Sequence, residues 1–195
     1  MSVTQPADKE LVRLHRRACT DMAARMRLPR WDQLDARLRA PLDDRLVRDL
    51  LGRVVEGNLE FAADLSGQPI PAAVDVGDDP IAAVTESIRT ILTVVSGLET
   101  SAGFAPTRRD QFWARIAELT VLGYDLQQAI FAGAGLDDIL IDRLLGVGPG
   151  DLRVWPDLEP CEPAEMTPED VVLARFGRNR GLQLVPEDNC AIGQC

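Results

Sequence analysis

Hydrophobic positions recur at spacings of three and four along much of this chain, which is the pattern of amphipathic α-helices. From Asp8 to Arg27 this spacing places on one face Leu11, Leu14, Ala18, Cys19, Met22 and Met26. A second stretch begins at Asp79, a predicted N-cap followed by Pro80, and its apolar face comprises Ile81, Val84, Ile88, Ile91, Leu92, Val95 and Leu98. Both patterns predict long helices with one buried face.

The segment between these two helices is predicted to contain the longest helix, from Pro41 to Leu65. Pro41 suits a first helical turn, and early acids favour a helix N-terminus. Its apolar stripe comprises Leu46, Leu50, Val54, Phe61 and Leu65, with Asn58 within it. The preceding WDQLDARLRA run is expected to add one or two helical turns.

The densest apolar stretch, Thr107 to Trp155, is predicted to form the centre of the core. Ile116 and Leu144 lie in its two periodic runs and should both be buried. We expect three short helices here, because a capping box and several glycines punctuate the pattern: Thr107 with Asp110, Gly123, the Gly133/Gly135 pair and Gly146.

The composition changes after Trp155, where four prolines in PDLEPCEPAEMTP predict an extended spacer. Thr167 and Pro168 then start a short helix that should end near Gly177, with an extended stretch at 182–185. The predicted fold is all-α, a single multi-helix domain of five to seven helices. Residues 1–155 form the helical domain, and 156–195 form an irregular C-terminal extension with a Pro-rich spacer, a short helix and a Cys-bearing tail.

Charge and composition limit the function classes. The chain of 195 residues has 21 basic and 31 acidic side chains, a net charge of −10 that opposes binding to nucleic acid or to an anionic membrane surface. Residues 1–53 nevertheless hold 12 basic and 8 acidic side chains, whereas 54–106 hold 1 and 8. With no signal-like N-terminus and no apolar run of membrane-spanning length, we expect a cytoplasmic protein. The preference for Arg over Lys suggests a GC-rich bacterial source.

Residue types that support catalysis are sparse, so we predict no enzyme, no catalytic residues and no cofactor. His15 is the only histidine, and the chain has no nucleophile elbow, P-loop or dinucleotide-binding motif. His15 lies one helical turn before Cys19, so the two could share a metal. Cys19 also belongs to the apolar face, however, and we interpret it as a buried structural residue.

Asp137, Asp138 and Asp142 form a DDxxxD string that resembles the aspartate-rich motif of isoprenoid synthases. The resemblance implies carboxylates that bridge Mg²⁺ and substrate phosphates. It covers six residues, and the second metal-binding motif of that family is missing. Asp137 and Asp138 also suit the N-terminus of a helix, which is the simpler interpretation.

Residues Ile141 to Trp155 resemble a DNA-binding helix-turn-helix, whose apolar and turn positions are matched by Ile141, Gly146, Val147 and Leu152. The chain departs from that pattern at Asp142, where a small buried residue is expected, and at Pro156, which shortens the reading helix. A helix-turn-helix regulator is therefore an alternative function, with nucleic-acid binding not favoured.

Two features of the C-terminal part point to binding or modification. Arg175, Arg178 and Arg180 form a basic cluster that could bind a carboxylate, a phosphate or an acidic partner, or could stabilise a helix C-terminus. Cys190 and Cys195, spaced C-x₄-C, are candidate redox, metal-ligating or modification sites.

The main functional prediction is a non-catalytic helical regulatory or adaptor module that binds another protein. The alternative rests on layout alone: a helical body, a Pro-rich spacer and a Cys tail resemble a ribosomally made peptide precursor with a large leader. That resemblance implies a modifying enzyme as the partner.

Overall fold

The computed structural model describes residues 8–39, 42, 44–69, 76–98, 103–130, 135–147, 160–163 and 165–178. Within these ranges the chain forms six α-helices and one 3₁₀ turn, and the only β-type pairing is an isolated antiparallel bridge between Arg37 and Leu46. The helices are α1 (Asp8–Arg25), α2 (Val47–Ser66), α3 (Pro80–Gly97), α4 (Pro106–Ala129), α5 (Asp138–Gly146) and α6 (Pro168–Arg175). The all-α prediction is confirmed.

Helix α4 lies at the centre, and its side chains are buried on nearly every side from Phe112 onwards. Helices α1 and α2 pack against it, α3 packs on α2, and α5 pairs with α6. One apolar core joins all six helices and includes Val172 and Leu173 of α6. Helix α6 therefore shares the core of the helices before it, while the proposed boundary at 155/156 stays a prediction because 148–159 lie outside the described residues.

The two helices with the clearest periodicity form as predicted. Helix α1 begins at Asp8, and the side chains assigned to its apolar face are buried. In α3 the Asp79 carboxylate accepts a hydrogen bond from the Ala82 N–H at 2.9 Å, which satisfies one of the free donors of the first turn. Pro80 occupies the first helical position, where no donor is needed.

The prediction of three short helices in the central stretch is wrong for its first part. A single helix of 24 residues, α4, passes through Gly123 and begins at Pro106 rather than being capped by Thr107. Gly123 is needed for close packing, because a Cβ there would lie 2.9 Å from Cδ of Arg25 on α1. The first two predicted helices are thus one helix, and the third, predicted after the Gly133/Gly135 pair, forms as α5 and ends at Gly146 as expected.

The start of α2 is also corrected, because it begins at Val47 and not at Pro41. Before it the chain folds back on itself: the Leu38 N–H donates to the Arg45 carbonyl at 2.8 Å and the Val47 N–H to Ala36 at 2.9 Å. The expected helical turns in WDQLDARLRA reduce to the 3₁₀ turn Trp31–Gln33. Helix α4, not α2, is thus the longest described helix.

Helix α6 forms where the sequence predicts it. The Thr167 hydroxyl accepts a hydrogen bond from the Asp170 N–H at 3.2 Å, Pro168 follows at the first position, and Gly177 adopts φ +75° after the helix. The extended stretch predicted at 182–185 lies outside the described residues. Across the described part of the chain, no helix combines the length and apolar character needed to cross a membrane.

Candidate functional site

A cluster of polar side chains lies in the interior where α2, α3 and α4 meet. Arg115 of α4 is buried, and its guanidinium donates to the Val54 carbonyl at 2.8 Å and to Asn58 Oδ1 at 2.8 and 3.2 Å. It also contacts Glu118, one turn further along α4. Asn58 in turn donates to the Ser87 hydroxyl at 2.9 Å, so the network reaches α3.

Glu118 and Gly57 extend this interior cluster. The Glu118 carboxylate also pairs with Arg53, whose Nε lies 2.7 Å from Oε1 but does not point its N–H at that oxygen, so the contact is Coulombic. Gly57 provides space, because a Cβ at that position would collide with the Arg115 guanidinium. The polar groups of Arg115 are thus used in packing three helices together, and we assign the cluster a structural role.

His15 and Cys19 lie side by side on the buried face of α1. The Cys19 sulfur is 3.9 Å from His15 Nδ1 and 3.8 Å from Nε2, and both residues have no exposed surface. The imidazole is surrounded by the rings of Phe61 and Phe112, at centroid distances of 5.2 and 5.7 Å. The expectation that Cys19 is buried is confirmed.

Burial sets the protonation state of both groups. It lowers the pKa of His15 to about 3, with repulsion from the charge on Arg115 acting in the same direction. It raises the pKa of the Cys19 thiol to about 12. At neutral pH the pair therefore consists of a neutral imidazole and a protonated thiol, which is unsuited to nucleophilic chemistry.

The aspartate string does not come together as a metal site. Asp137 is the N-cap of α5 and accepts hydrogen bonds from the N–H groups of Ile139 and Leu140. Its carboxylate also pairs with Arg17 at 2.7 Å, and this contact holds the pKa of Asp137 below its usual value. Asp138 and Asp142 are exposed. Among the described residues no group of three or more His, Cys, Asp or Glu side chains is arranged to hold a metal ion.

The stretch that resembles a helix-turn-helix is described only in its first half. Ile141 and Leu144 face the core from α5, and Asp142 points to solvent. Residues 148–159, which would contain the reading helix, lie outside the described residues. The DNA-binding alternative therefore stays a prediction.

The prediction that Arg175, Arg178 and Arg180 form a partner-binding cluster is corrected, because Arg175 and Arg178 have partners inside the protein. Arg178 is 1% exposed and pairs with Asp125 of α4 at 3.1 and 2.5 Å. Arg175 donates to the carbonyls of Leu144 and Val147 at 2.9 and 3.0 Å, which stabilises the C-terminal end of α5. The Arg178 guanidinium is therefore not accessible to a partner, and Arg175 is half-buried with its hydrogen bonds made inside the protein. Arg180 lies outside the described residues.

The four cysteines differ in where they lie. Cys19 is buried, whereas Cys161 is exposed and its backbone N–H donates to the Ala174 carbonyl of α6 at 2.8 Å. Partial burial raises the pKa of the Cys161 thiol. Cys190 and Cys195 lie outside the described residues, so their predicted roles remain predictions.

Two exposed apolar side chains that sequence reasoning missed lie in the connection between α1 and α2. Leu28 is 48% exposed and Trp31 is 60% exposed, three residues apart on either side of the buried Pro29. We call this pair the Trp31 surface. The segment WDQLDARLRA was predicted to form helical turns, and nothing local in the sequence signals that only the 3₁₀ turn Trp31–Gln33 forms there.

Searches of known protein families, curated proteins and solved structures find no match to this chain.

Proposed function

We propose that this chain is a non-catalytic adaptor that binds another protein through the Trp31 surface. The observation that carries the proposal is the exposure of Trp31 and Leu28 beside a core that buries large apolar side chains in all six helices. Trp is strongly enriched among the residues that dominate protein–protein binding energy. Exposed Leu and Trp side chains close in sequence are therefore better explained by a partner than by the fold of this chain alone.

The charge around the Trp31 surface indicates the chemistry of the partner. Residues 26–48 hold six arginines and four aspartates, so this segment is net positive in a chain with a net charge of −10. Arg27 and Arg30 flank Leu28 and are exposed. The partner segment that fits best is an amphipathic one, with apolar side chains that cover Trp31 and carboxylates at its edge.

Other residues that could carry chemistry support binding rather than catalysis. His15 and Cys19 are buried in unreactive protonation states, and Asp137 serves as a helix cap. Each has a role in stabilising the helical body. The exposed apolar surface has no such role.

The proposal can be tested with a double substitution, Leu28→Ser with Trp31→Ser. A matched control is Ile139→Ser with Met166→Ser, since these side chains are 46% and 83% exposed elsewhere on the protein. Each protein would be used for quantitative affinity capture from the source organism. We expect the captured amount of a partner to be at least about tenfold lower with the double variant than with the wild type or the control.

The captured partner would then be purified and its affinity measured directly at two salt concentrations. A higher dissociation constant for the Leu28→Ser/Trp31→Ser variant than for the wild type supports the Trp31 surface as the binding site. A dissociation constant that also rises with salt concentration supports an acidic partner. Equal affinity for the wild type and that variant would contradict the proposal.

We propose, as the alternative, that the chain is a precursor whose tail is modified at Cys190 or Cys195. What favours it is the buried pair of Arg178 with Asp125, which anchors the chain twelve residues before Cys190. A tail attached to a fixed point on a folded leader suits presentation to a modifying enzyme. Intact-mass measurement with fragmentation of the natural protein tests it: a mass change located within residues 187–195 supports modification, and an unmodified tail contradicts it.

A further inference from the structure

Met166 is the most exposed large apolar side chain in the described part of the chain, at 83%. It directly precedes Thr167, the N-cap of α6. An apolar residue at this position often folds back on the fourth residue of the helix, which is Val171 here. An exposure of 83% leaves little of Met166 in contact with Val171 or with any other residue of its own chain.

The side chains around Met166 are acidic. Glu162 and Glu165 are both exposed. Residues 160–170 hold four acidic and no basic side chains. We call Glu162, Glu165 and Met166 together the Met166 surface, an apolar side chain edged by carboxylates.

The Trp31 surface is edged by the opposite charge. Arg27 lies beside Leu28 and is exposed, and no described carboxylate forms an ion pair with it. Arg30 is exposed as well, although it pairs with Asp32 at 2.8 Å. Apolar side chains edged by guanidinium groups and an apolar side chain edged by carboxylates are complementary both in polarity and in charge.

The two surfaces do not cover each other within one chain, because Trp31 is 60% exposed and Met166 is 83% exposed. A second copy of the chain presents both surfaces again. Where a two-fold axis relates the copies, the same contact forms twice. Methionine suits such a contact, because its thioether packs favourably against aromatic rings.

We propose that the Trp31 surface of one copy binds the Met166 surface of a second copy, so that the chain associates with itself. The inference rests on the proposed function, because it uses the Trp31 surface as a binding site, and it adds a regulation: self-association covers the surface that another protein would bind. Each contact holds only three large apolar side chains, so the association should be weak and should depend on concentration. Binding of the other protein should separate the copies.

The test measures self-association of the full-length chain by sedimentation velocity from about 1 to about 500 µM, in a reducing agent so that no disulfide joins two copies. We expect the weight-average mass to rise above the 21.4 kDa of one chain as the concentration increases. Leu28→Ser/Trp31→Ser and Ile139→Ser/Met166→Ser should each raise the dissociation constant of self-association at least about tenfold. Circular dichroism of each variant checks that the helices are retained.

Charge reversal tests the same contact without removing apolar side chains. Arg27→Glu/Arg30→Glu makes both surfaces acidic, and Glu162→Arg/Glu165→Arg makes both basic, so neither variant should associate with itself. An equimolar mixture of the two variants restores opposite charges and should associate as the wild type does. Should a charge-reversed variant fail to fold, the serine variants decide alone.

Three results would each overturn the proposal. They are a wild type that stays monomeric at the highest concentration, an association that neither serine variant weakens, and a mixture of folded charge-reversed variants that stays monomeric while the wild type associates.

The affinity capture described above separates this inference from the proposed function. Ile139→Ser/Met166→Ser keeps the Trp31 surface, so it should retain the captured partner and lose self-association. A monomeric wild type whose partner is lost with Leu28→Ser/Trp31→Ser would contradict self-association alone. Self-association that depends on the Trp31 surface, together with a partner that Leu28→Ser/Trp31→Ser still retains, would contradict the proposed function alone.

Discussion

Side chains in folded proteins are usually apolar in the interior and polar at the surface, and two regions of this molecule depart from that rule in opposite directions. The interior cluster around Arg115 buries polar groups among α2, α3 and α4, whereas the Trp31 surface exposes apolar groups between α1 and α2. In the cluster the fold supplies compensation, because the guanidinium of Arg115 reaches Val54, Asn58 and Glu118. On the surface Leu28 and Trp31 remain about half exposed or more.

The fold alone explains the buried polar groups, whereas the exposed apolar groups call for a function. Buried polar groups that are hydrogen-bonded are stable within one chain, since leaving any one of them unpaired costs free energy. Exposed apolar groups gain nothing from the chain's own fold, and only a partner removes them from water. For this reason we assign the Arg115 cluster to structure and propose the Trp31 surface as a binding site.

The largest effect is expected from Arg115→Ala, which would break the interior cluster. The substitution removes the donors to Val54 and Asn58 and leaves the Glu118 carboxylate with only its Coulombic contact to Arg53. We expect a loss of about 3–5 kcal/mol in the free energy of unfolding, measured by urea denaturation.

The double variant Arg115→Ala with Glu118→Gln serves as the control for charge. Removing the carboxylate should recover part of the loss if an unpaired charge is its cause. A loss below about 1 kcal/mol for Arg115→Ala would show that the cluster is not held by these bonds.

His15 gives a second, pH-dependent test of the interior. Its pKa is lowered to about 3 in the folded chain, so below its ordinary value of 6.5 the unfolded state takes up a proton that the folded state does not. Stability should therefore fall as the pH falls through 6.5, with a slope that approaches about 1.4 kcal/mol per pH unit well below that value. Urea denaturation at pH 6.5 and at pH 5 should show a loss of about 1.6 kcal/mol between the two.

The pH window for His15 lies above the range in which the described aspartates with lowered pKa, Asp8, Asp32 and Asp137, take up protons. His15→Phe should flatten the slope whatever it does to the absolute stability. A wild-type slope equal to that of the variant would show that the imidazole is solvated in the folded protein.

Two glycines of α2 provide a matched pair of smaller effect. A Cβ at Gly57 collides with the Arg115 guanidinium, whereas a Cβ at Gly52 meets only Val76 at an ordinary 3.4 Å. Gly57→Ala should therefore cost about 1–3 kcal/mol by overpacking, despite the better helix propensity of Ala. Gly52→Ala should be neutral or stabilise by up to about 1 kcal/mol. Melting curves that move both variants in the same direction would contradict this geometry.

How far the sequence could predict the fold depends on how cleanly each helix separates its faces. Helices α1 and α3 each have one apolar face, so the spacing located them and most of their buried residues, although Ile81, Leu92 and Leu98 of the predicted α3 face are only partly buried. Helix α4 is buried nearly all round and carries Arg115, Glu118, Asp125 and Gln127 inside, which disrupts the periodic pattern. Gly123 was therefore misread as a break, although it is a point of close approach to Arg25.

The polar partners were beyond sequence reasoning for a different reason. Arg115 and Asn58 are 57 positions apart, and Arg178 and Asp125 are 53 apart, so nothing local in the sequence pairs them. The arginines at 175 and 178 were accordingly interpreted as one cluster, although each is bonded within the fold. The Trp31 surface was missed because the segment was interpreted as helical turns, whereas the backbone hydrogen bonds from Leu38 to Arg45 and from Val47 to Ala36 that limit it have no local signal in the sequence.

The smallest effect on stability is expected at the Trp31 surface, and its smallness is the informative result. Because Leu28 and Trp31 are about half exposed or more, replacing both with Ser should change the free energy of unfolding by about 0.5 kcal/mol per residue or less. Urea denaturation of the purified double variant measures this, with Ile139→Ser/Met166→Ser as the control. Loss of partner binding with an unchanged free energy of unfolding would show that the Trp31 surface contacts the partner. A loss of several kcal/mol would instead show that Trp31 packs against its own chain, and the contrast with the Arg115 cluster would disappear.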